Sequence, residues 1–429
     1  MADTRTAPYP ELLVTDSADA GAISTPLERS RVLWLTNISH LVNHFLGQMV
    51  SVLYPAMMAE LGFGYAELGV LVAIQNLIGN AAEVVWGFLT PFLRRTYVLG
   101  IGNLVMTLGT FLTGLAGTFP LLVTTRTVYA VGASAQHPIG SSLLSGYFPR
   151  SRGSVLALNS SIAAVGSLLS APLAALMLAL YGWRAAFMVC GVVSLGVAAA
   201  YLLSPERRSL PVPGARRSRF AEGGASYRRV LRNRNLVVIS MVMMLGAAGR
   251  AGGVNQAYLG VHFKDDLGLP LALQGLALAV VQLGAIGAPV GFGWLSDRLS
   301  RTRVMQGSLL LSAISTWVLA AQGPDLPMLL LNLFVYGGST YSRNTLTQAV
   351  VADSASDQDR DAAFSMYYFV GFISAPLWSL LAGVLMERFG FGLAFNVLGL
   401  SYLAGMLVLL LMIDPAEARG GRSDTLRSR

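Results

Sequence analysis

"GWLSDRLSRTRV" occupies residues 293–304, and "GFLTPFLRRTYV" stands at 87–98. The two share Gly, Leu, Leu, Arg, Thr and Val in one order, 206 residues apart. At the same offset, "LGFGYAELG" (61–69) matches "LGLPLALQG" (267–275) in Leu, Gly, Ala and Gly. "SAPL" stands at 170–173 and again at 374–377. One such match is within chance. Three nearly in register imply a duplicated unit of about half the chain.

The unit is a membrane bundle. Apolar residues make up 54% of the 429, and charged residues only 12%, about half the charge of a soluble domain. Runs of about 20 apolar residues recur along the chain, each long enough to cross a bilayer core. Lipid offers no partner for backbone polar groups, so such runs are helices or closed barrels, and their length without strict alternation selects helices. Twelve spans are expected at about 31–57, 65–90, 97–117, 121–146, 153–180, 184–203, 236–263, 270–296, 304–322, 325–350, 362–387 and 391–413. The basic stretch 204–235 separates 31–203 from 236–413, giving two six-helix bundles of an all-α integral membrane protein, with tails at 1–30 and 414–429. No apolar leader stands in residues 1–30, and the single cysteine, Cys190, excludes an internal disulfide.

With the N-terminus inside, 24 of the 30 basic residues fall in inner loops and tails, nine of them in 204–235. That satisfies the positive-inside rule. Both termini are therefore expected in the cytoplasm, and the +8 charge reads as a topology signal, with no nucleic-acid partner.

These residues resemble the major facilitator superfamily, whose G-x-L-x-D-R-x-x-R loop matches Gly293, Leu295, Asp297, Arg298 and Arg301. "GWRAAF" (182–187) is similar to its turn after the fifth helix. "SHLVN" (39–43), "LYP" (53–55) and "HP" (137–138) resemble the fosmidomycin-resistance efflux branch, with His44 where that branch carries Asp. The resemblance implies a secondary transporter in the inner membrane that rocks two bundles about a central site. It also implies that Asp297, Arg298 and Arg301 latch one end.

Polar residues within the spans are the site candidates, because an ionisable group at mid-bilayer costs about 2.5–3.5 kcal/mol on insertion scales and usually faces a cavity. His40, Asn43 and His44 lie in the first span, His137 in the fourth, Arg250, Asn255 and Gln256 in the seventh, and Arg343 in the tenth. Glu83 is the one deep carboxylate, read as a gate partner. Arg343 is read either as a ligand for substrate or as an ion pair with Asp353 or Asp297. Arg126 is expected to snorkel to the interface, and His262 to have no special role. Gln48, Gln75, Asn76 and Tyr258 are further candidate lining residues.

His40 and His44 share a helix face. Their spacing suits a metal, but no third ligand lies nearby in sequence, so no metal and no cofactor is expected. Adding the repeat offset to His44 lands on Arg250, which pairs them across the pseudo-twofold axis; His40 maps to Gly246 and is given a supporting place. Arg and His outnumber acids inside the spans, so a small anionic or amphipathic substrate is expected, exported by a monomer in exchange for protons. Uptake or exchange of organic anions or organophosphates is the alternative. No G-x-S-x-G, H-E-x-x-H or Walker A motif occurs, so an enzyme is not expected, and 204–235 is too short and polar to be the output domain of a sensor.

Overall fold

The computed structural model describes residues 25–89, 92–148, 151–203, 227–246, 253–356 and 359–412. In the first half, α1 is Pro26–Gln48, α2 Val50–Leu61, α3 Tyr65–Leu89, α4 Arg95–Thr113, α5 Phe119–Ala133, α6 Gln136–Tyr147 and α7 Arg152–Leu202. In the second, α8 is Arg234–Leu245, α9 Gly253–Val261 with a π turn over His262–Asp266, α10 Leu271–Arg298, α11 Arg301–Ala321, α12 Leu326–Ser354 and α13 Arg360–Met412. No strand occurs among the described residues. The twelve transmembrane helices form two pseudo-symmetric six-helix bundles.

The duplication is written into the backbone. Among the described residues four glycines have positive φ: Gly62 (68°), Gly268 (61°), Gly182 (77°) and Gly390 (81°). Gly62 and Gly268 sit at equivalent places of the repeat, each ending a helix. Gly182 and Gly390 turn the chain inside α7 and α13, so each long helix is two spans. "GWRAAF" (182–187) and "GFGLAF" (390–395) are thus a fourth copy of the repeat. L-residues avoid this region for steric reasons and glycine does not, which is why glycine stands at all four. The starts of α5 and α12 also match: Thr118 caps Leu121 N and Asp325 caps Met328 N, each with proline in the first turn.

The halves meet in symmetric pairs, α3 on α13 and α10 on α7, with α2 on α9 near the axis. Small residues allow this approach. A Cβ on Gly69 would lie 2.8 Å from Ser379 O, and one on its repeat mate Gly275 would lie 3.1 Å from Ala175 Cβ and 3.3 Å from Ala171 O. Pro55 has no N–H for the Ser51 carbonyl one turn earlier, and Gly260 of α9 packs directly onto that carbonyl.

Among the described residues six helical segments are long and apolar enough to span a membrane: 65–87, 95–113, 154–202, 271–296, 301–321 and 366–410. They account for eight of the twelve crossings, since two are double. The first, fourth, seventh and tenth spans are missing from that set. These carry the histidine candidates of the cavity and Arg343, and the first two are broken helices: α1 from α2 at Met49, α5 from α6 at Ser134–Ala135.

Candidate functional site

The break between α5 and α6 builds the site. Pro138 cannot donate to the carbonyl a turn earlier, and Ala135 N tightens onto Gly132 O at 3.3 Å. The Ala133 carbonyl accepts from Asn43 Nδ2 of α1 at 2.9 Å. That cross-helix bond satisfies backbone at membrane depth and brings His137 against the histidines of α1.

The three rings form one cluster, with centroids 4.8 Å apart for His40–His44, 5.0 Å for His40–His137 and 5.5 Å for His44–His137. His40 is buried, and its Nδ1 meets Asn159 Oδ1 at 2.7 Å. Asn159 in turn donates from Nδ2 to Asn37 Oδ1 at 2.8 Å, so its oxygen is the acceptor and Nδ1 of His40 carries the proton. His44 Nδ1 meets Ser167 Oγ at 3.0 Å.

His44 and His137 line a cavity of about 380 Å³, together with Asn43, Gln48, Gln75, Asn76, Glu83, Tyr54, Tyr129 and Arg126. Residues Ala257 and Gly371 close it from the second half. Here the structure corrects an expectation from sequence: Arg126 does not snorkel. It is 1% exposed, and its guanidinium carbon stands 4.1 Å from the Tyr129 ring centroid and 5.7 Å from that of Phe187. Its Nε and Nη1 find no hydrogen-bond partner among the described residues. A buried guanidinium without a carboxylate is costly, so this one is poised to gain from an anion in the cavity it lines. The sequence hid it because Arg126 lies only a turn or two from the expected end of its span; the signal was the run of small and apolar residues on both sides.

The other candidates are placed as follows. Arg343 is buried, with Nη1 3.3 Å from Met243 O; Asp353, one of the two acids its ion-pair reading offers, pairs with Arg301 instead. Arg298 lies over the Trp294 ring at 3.9 Å. Asp297 is in the last turn of α10 and Asn255 and Gln256 are in α9, but their side chains are outside the described residues. Arg250 also lies outside them, and with it the His44–Arg250 pairing. Tyr258 does not line the cavity; its hydroxyl donates to Ser379 O at 2.9 Å, near Tyr65 O at 3.4 Å. His262 is fully buried, 3.0 Å from Asp266.

Tyr65 ties the halves together at the Gly62 end. Its N–H donates to Glu387 Oε2 at 2.7 Å and its hydroxyl to Asp265 Oδ2 at 3.0 Å. Glu60 braces the same end: Arg184 approaches it at 2.8 Å and Trp183 Nε1 donates to it. The Arg184 hydrogen bond, then the Trp183 bond, holds the Glu60 carboxyl below the usual carboxylate range.

The sequence model of the Major Facilitator Superfamily matches residues 36–260 and again 251–426. The chain belongs to the major facilitator superfamily. It is a membrane transporter, with no enzyme activity. A probable sulfoacetate transporter of Cupriavidus necator is 26% identical over 404 residues, 87% of this chain and 92% of the relative. A probable L-galactonate transporter of Escherichia coli is 22% identical, covering 91% of both chains. The fosmidomycin resistance protein of Escherichia coli is 24% identical over 70% of this chain and 74% of its own length, so that branch is one of several comparable likenesses. The crystal structure of a bacterial homologue of the human lysosomal transporter Spinster superposes with a TM-score of 0.73 at 17% identity, covering 92% of this chain and 97% of that one; it shares the fold.

Proposed function

We propose that this transporter moves a small organic anion, such as a carboxylate or sulfonate, together with protons. The observation that carries the reading is Arg126, buried at the cavity with Nε and Nη1 unpartnered. A planar guanidinium grips carboxylate or sulfonate oxygens strongly when desolvated. The sulfoacetate and L-galactonate transporters among the relatives support an anionic cargo.

The chemistry of the lining supports cotransport. His44 and His137 face the same cavity as Arg126, and an imidazole that gains a proton near neutral pH adds positive charge. Proton and anion then favour each other's binding, and linkage makes that mutual. An antiporter needs the two to exclude each other. Symport down an inward proton gradient gives uptake. Export, carried by the likeness to the fosmidomycin resistance protein, is the second reading.

The charge asymmetry of the loops supports reading the Gly62 end as the outer one. Closure there by Tyr65, Glu387 and Asp265 corresponds to an inward-facing state. Alternating access requires these bonds to break as the bundles rock. The test is transport in proteoliposomes. Sulfoacetate, galactonate and a hydrophobic cation are compared under an imposed pH gradient, with Arg126→Gln beside wild type. Movement of the cation alone refutes the anion reading, and faster anion export under an inward proton gradient selects the second reading.

A further inference from the structure

We infer that His40, His44 and His137 form a site for one divalent transition-metal ion, such as Zn²⁺ or Co²⁺. The ligand nitrogens of the three lie within 4.8 Å of one another. Zinc–nitrogen bonds of about 2.0–2.1 Å at tetrahedral angles set ligand nitrogens about 3.4 Å apart. Small rotations of rings already clustered close that gap.

Two further observations point to a ligand. His40 is 7% exposed, yet its Nε2 has no hydrogen-bond partner. Its protonated Nδ1 is committed to Asn159, which leaves a buried Nε2 with an unshared lone pair. This is the arrangement of a metal-binding histidine, whose other ring nitrogen donates to an outer oxygen that fixes tautomer and orientation. His44 Nδ1 lies 3.0 Å from Ser167 Oγ, whose own hydroxyl proton is directed to Ala163 O at 3.4 Å, so an outer oxygen orients this ring as well. Three imidazoles and no thiolate select zinc, cobalt, nickel or copper over magnesium or calcium. His44 and His137 line the cavity while His40 lies behind them, so the fourth coordination position faces the cavity and is open to water or to an anionic group.

The site goes beyond the transport reading: a metal and a proton compete for the same imidazole lone pairs of His44 and His137, so the proton coupling proposed above belongs to the metal-free transporter. The experiment uses purified full-length protein with its affinity tag removed and metals stripped by chelator. Co²⁺ is titrated and visible absorption recorded; Zn²⁺ then competes. The expected result is one Co²⁺ per chain, an intense tetrahedral-type band, and displacement by Zn²⁺. Binding weakens as pH falls below about 6.5, where imidazoles must lose protons to coordinate. His137→Ala and, separately, His137→Gln abolish the band, and Asn159→Ala weakens Zn²⁺ binding about 10–100-fold. Monodispersity on size exclusion shows which variants are folded. A weak octahedral spectrum, no binding, or equal binding by wild type and a folded His137 variant overturns the site. Anion binding measured in the chelator-stripped protein reports separately on the transport reading.

Discussion

Replacing Arg126 with methionine separates a transport role from a structural one, because the two move stability in opposite directions. The wild-type guanidinium is 1% exposed and leaves Nε and Nη1 without acceptors. Each buried unsatisfied donor costs about 1–3 kcal/mol, and desolvating the charge costs several more. The contact with the Tyr129 ring returns on the order of 2 kcal/mol for a desolvated guanidinium, less than the sum of those costs. Methionine fills similar space without polar atoms. The substrate-free protein is therefore expected to melt at the same temperature as wild type or higher. Anion binding moves the other way, since a hydrogen bond to a charged group is worth about 1.5–3 kcal/mol, or about 10–150-fold in affinity. Thermal-shift titration with the transported anion measures both quantities on one sample. An Arg126→Met protein that melts well below wild type, or that binds the anion with unchanged affinity, refutes the reasoning.

Three other outcomes follow from the geometry. Gly260→Ala places a methyl against the Ser51 carbonyl, and neither backbone can yield while α2 and α9 stay packed; transport falls at least tenfold, and a cysteine introduced beside Tyr65 becomes more reactive to a water-soluble maleimide. Tyr65→Phe removes the hydroxyl bond to Asp265, worth about 0.5–1.5 kcal/mol; it raises the reactivity of the same reporter by about 2- to 10-fold. Glu60 has a depressed pKa, so its stabilising pairing is complete above the ordinary carboxylate range and is lost as pH falls through and below it. The difference in melting temperature between wild type and Glu60→Gln should be small at pH 7, since the pair is half-exposed, and should shrink as pH falls below the ordinary carboxylate range.

The fold was legible because its constraints are local and repeated. Apolar run length sets the spans, and the copied glycines at 62 and 268 mark the copied helix ends. The turn at Gly390 was harder to see, because only Gly, Ala and Phe survive from its partner at 182. The site was half legible. His40, Asn43, His44 and His137 stood out as polar residues in apolar helices. Pro138, which frees a carbonyl one turn earlier, points to a cavity shared with His137; the ring cluster itself is not legible, because it depends on the bond from Asn43 to Ala133 O. That bond joins residues 90 apart, and no periodicity encodes it. Arg126 was misread because depth along a helix fails to tell a side chain facing lipid from one facing the cavity. Of the two acids that the ion-pair reading of Arg343 offers, Asp353 pairs with Arg301 instead.

The central claim is that Arg126 and the neighbouring imidazoles bind an organic anion together with protons. The most direct test is initial-rate uptake of radiolabelled anion into proteoliposomes of one orientation, with the lumen alkaline and the membrane potential clamped. The account predicts uptake that accelerates with the pH gradient, collapses to the basal rate when the gradient is dissipated, and is lost in Arg126→Met. Anion uptake that is indifferent to the gradient, or that persists in Arg126→Met, would contradict it.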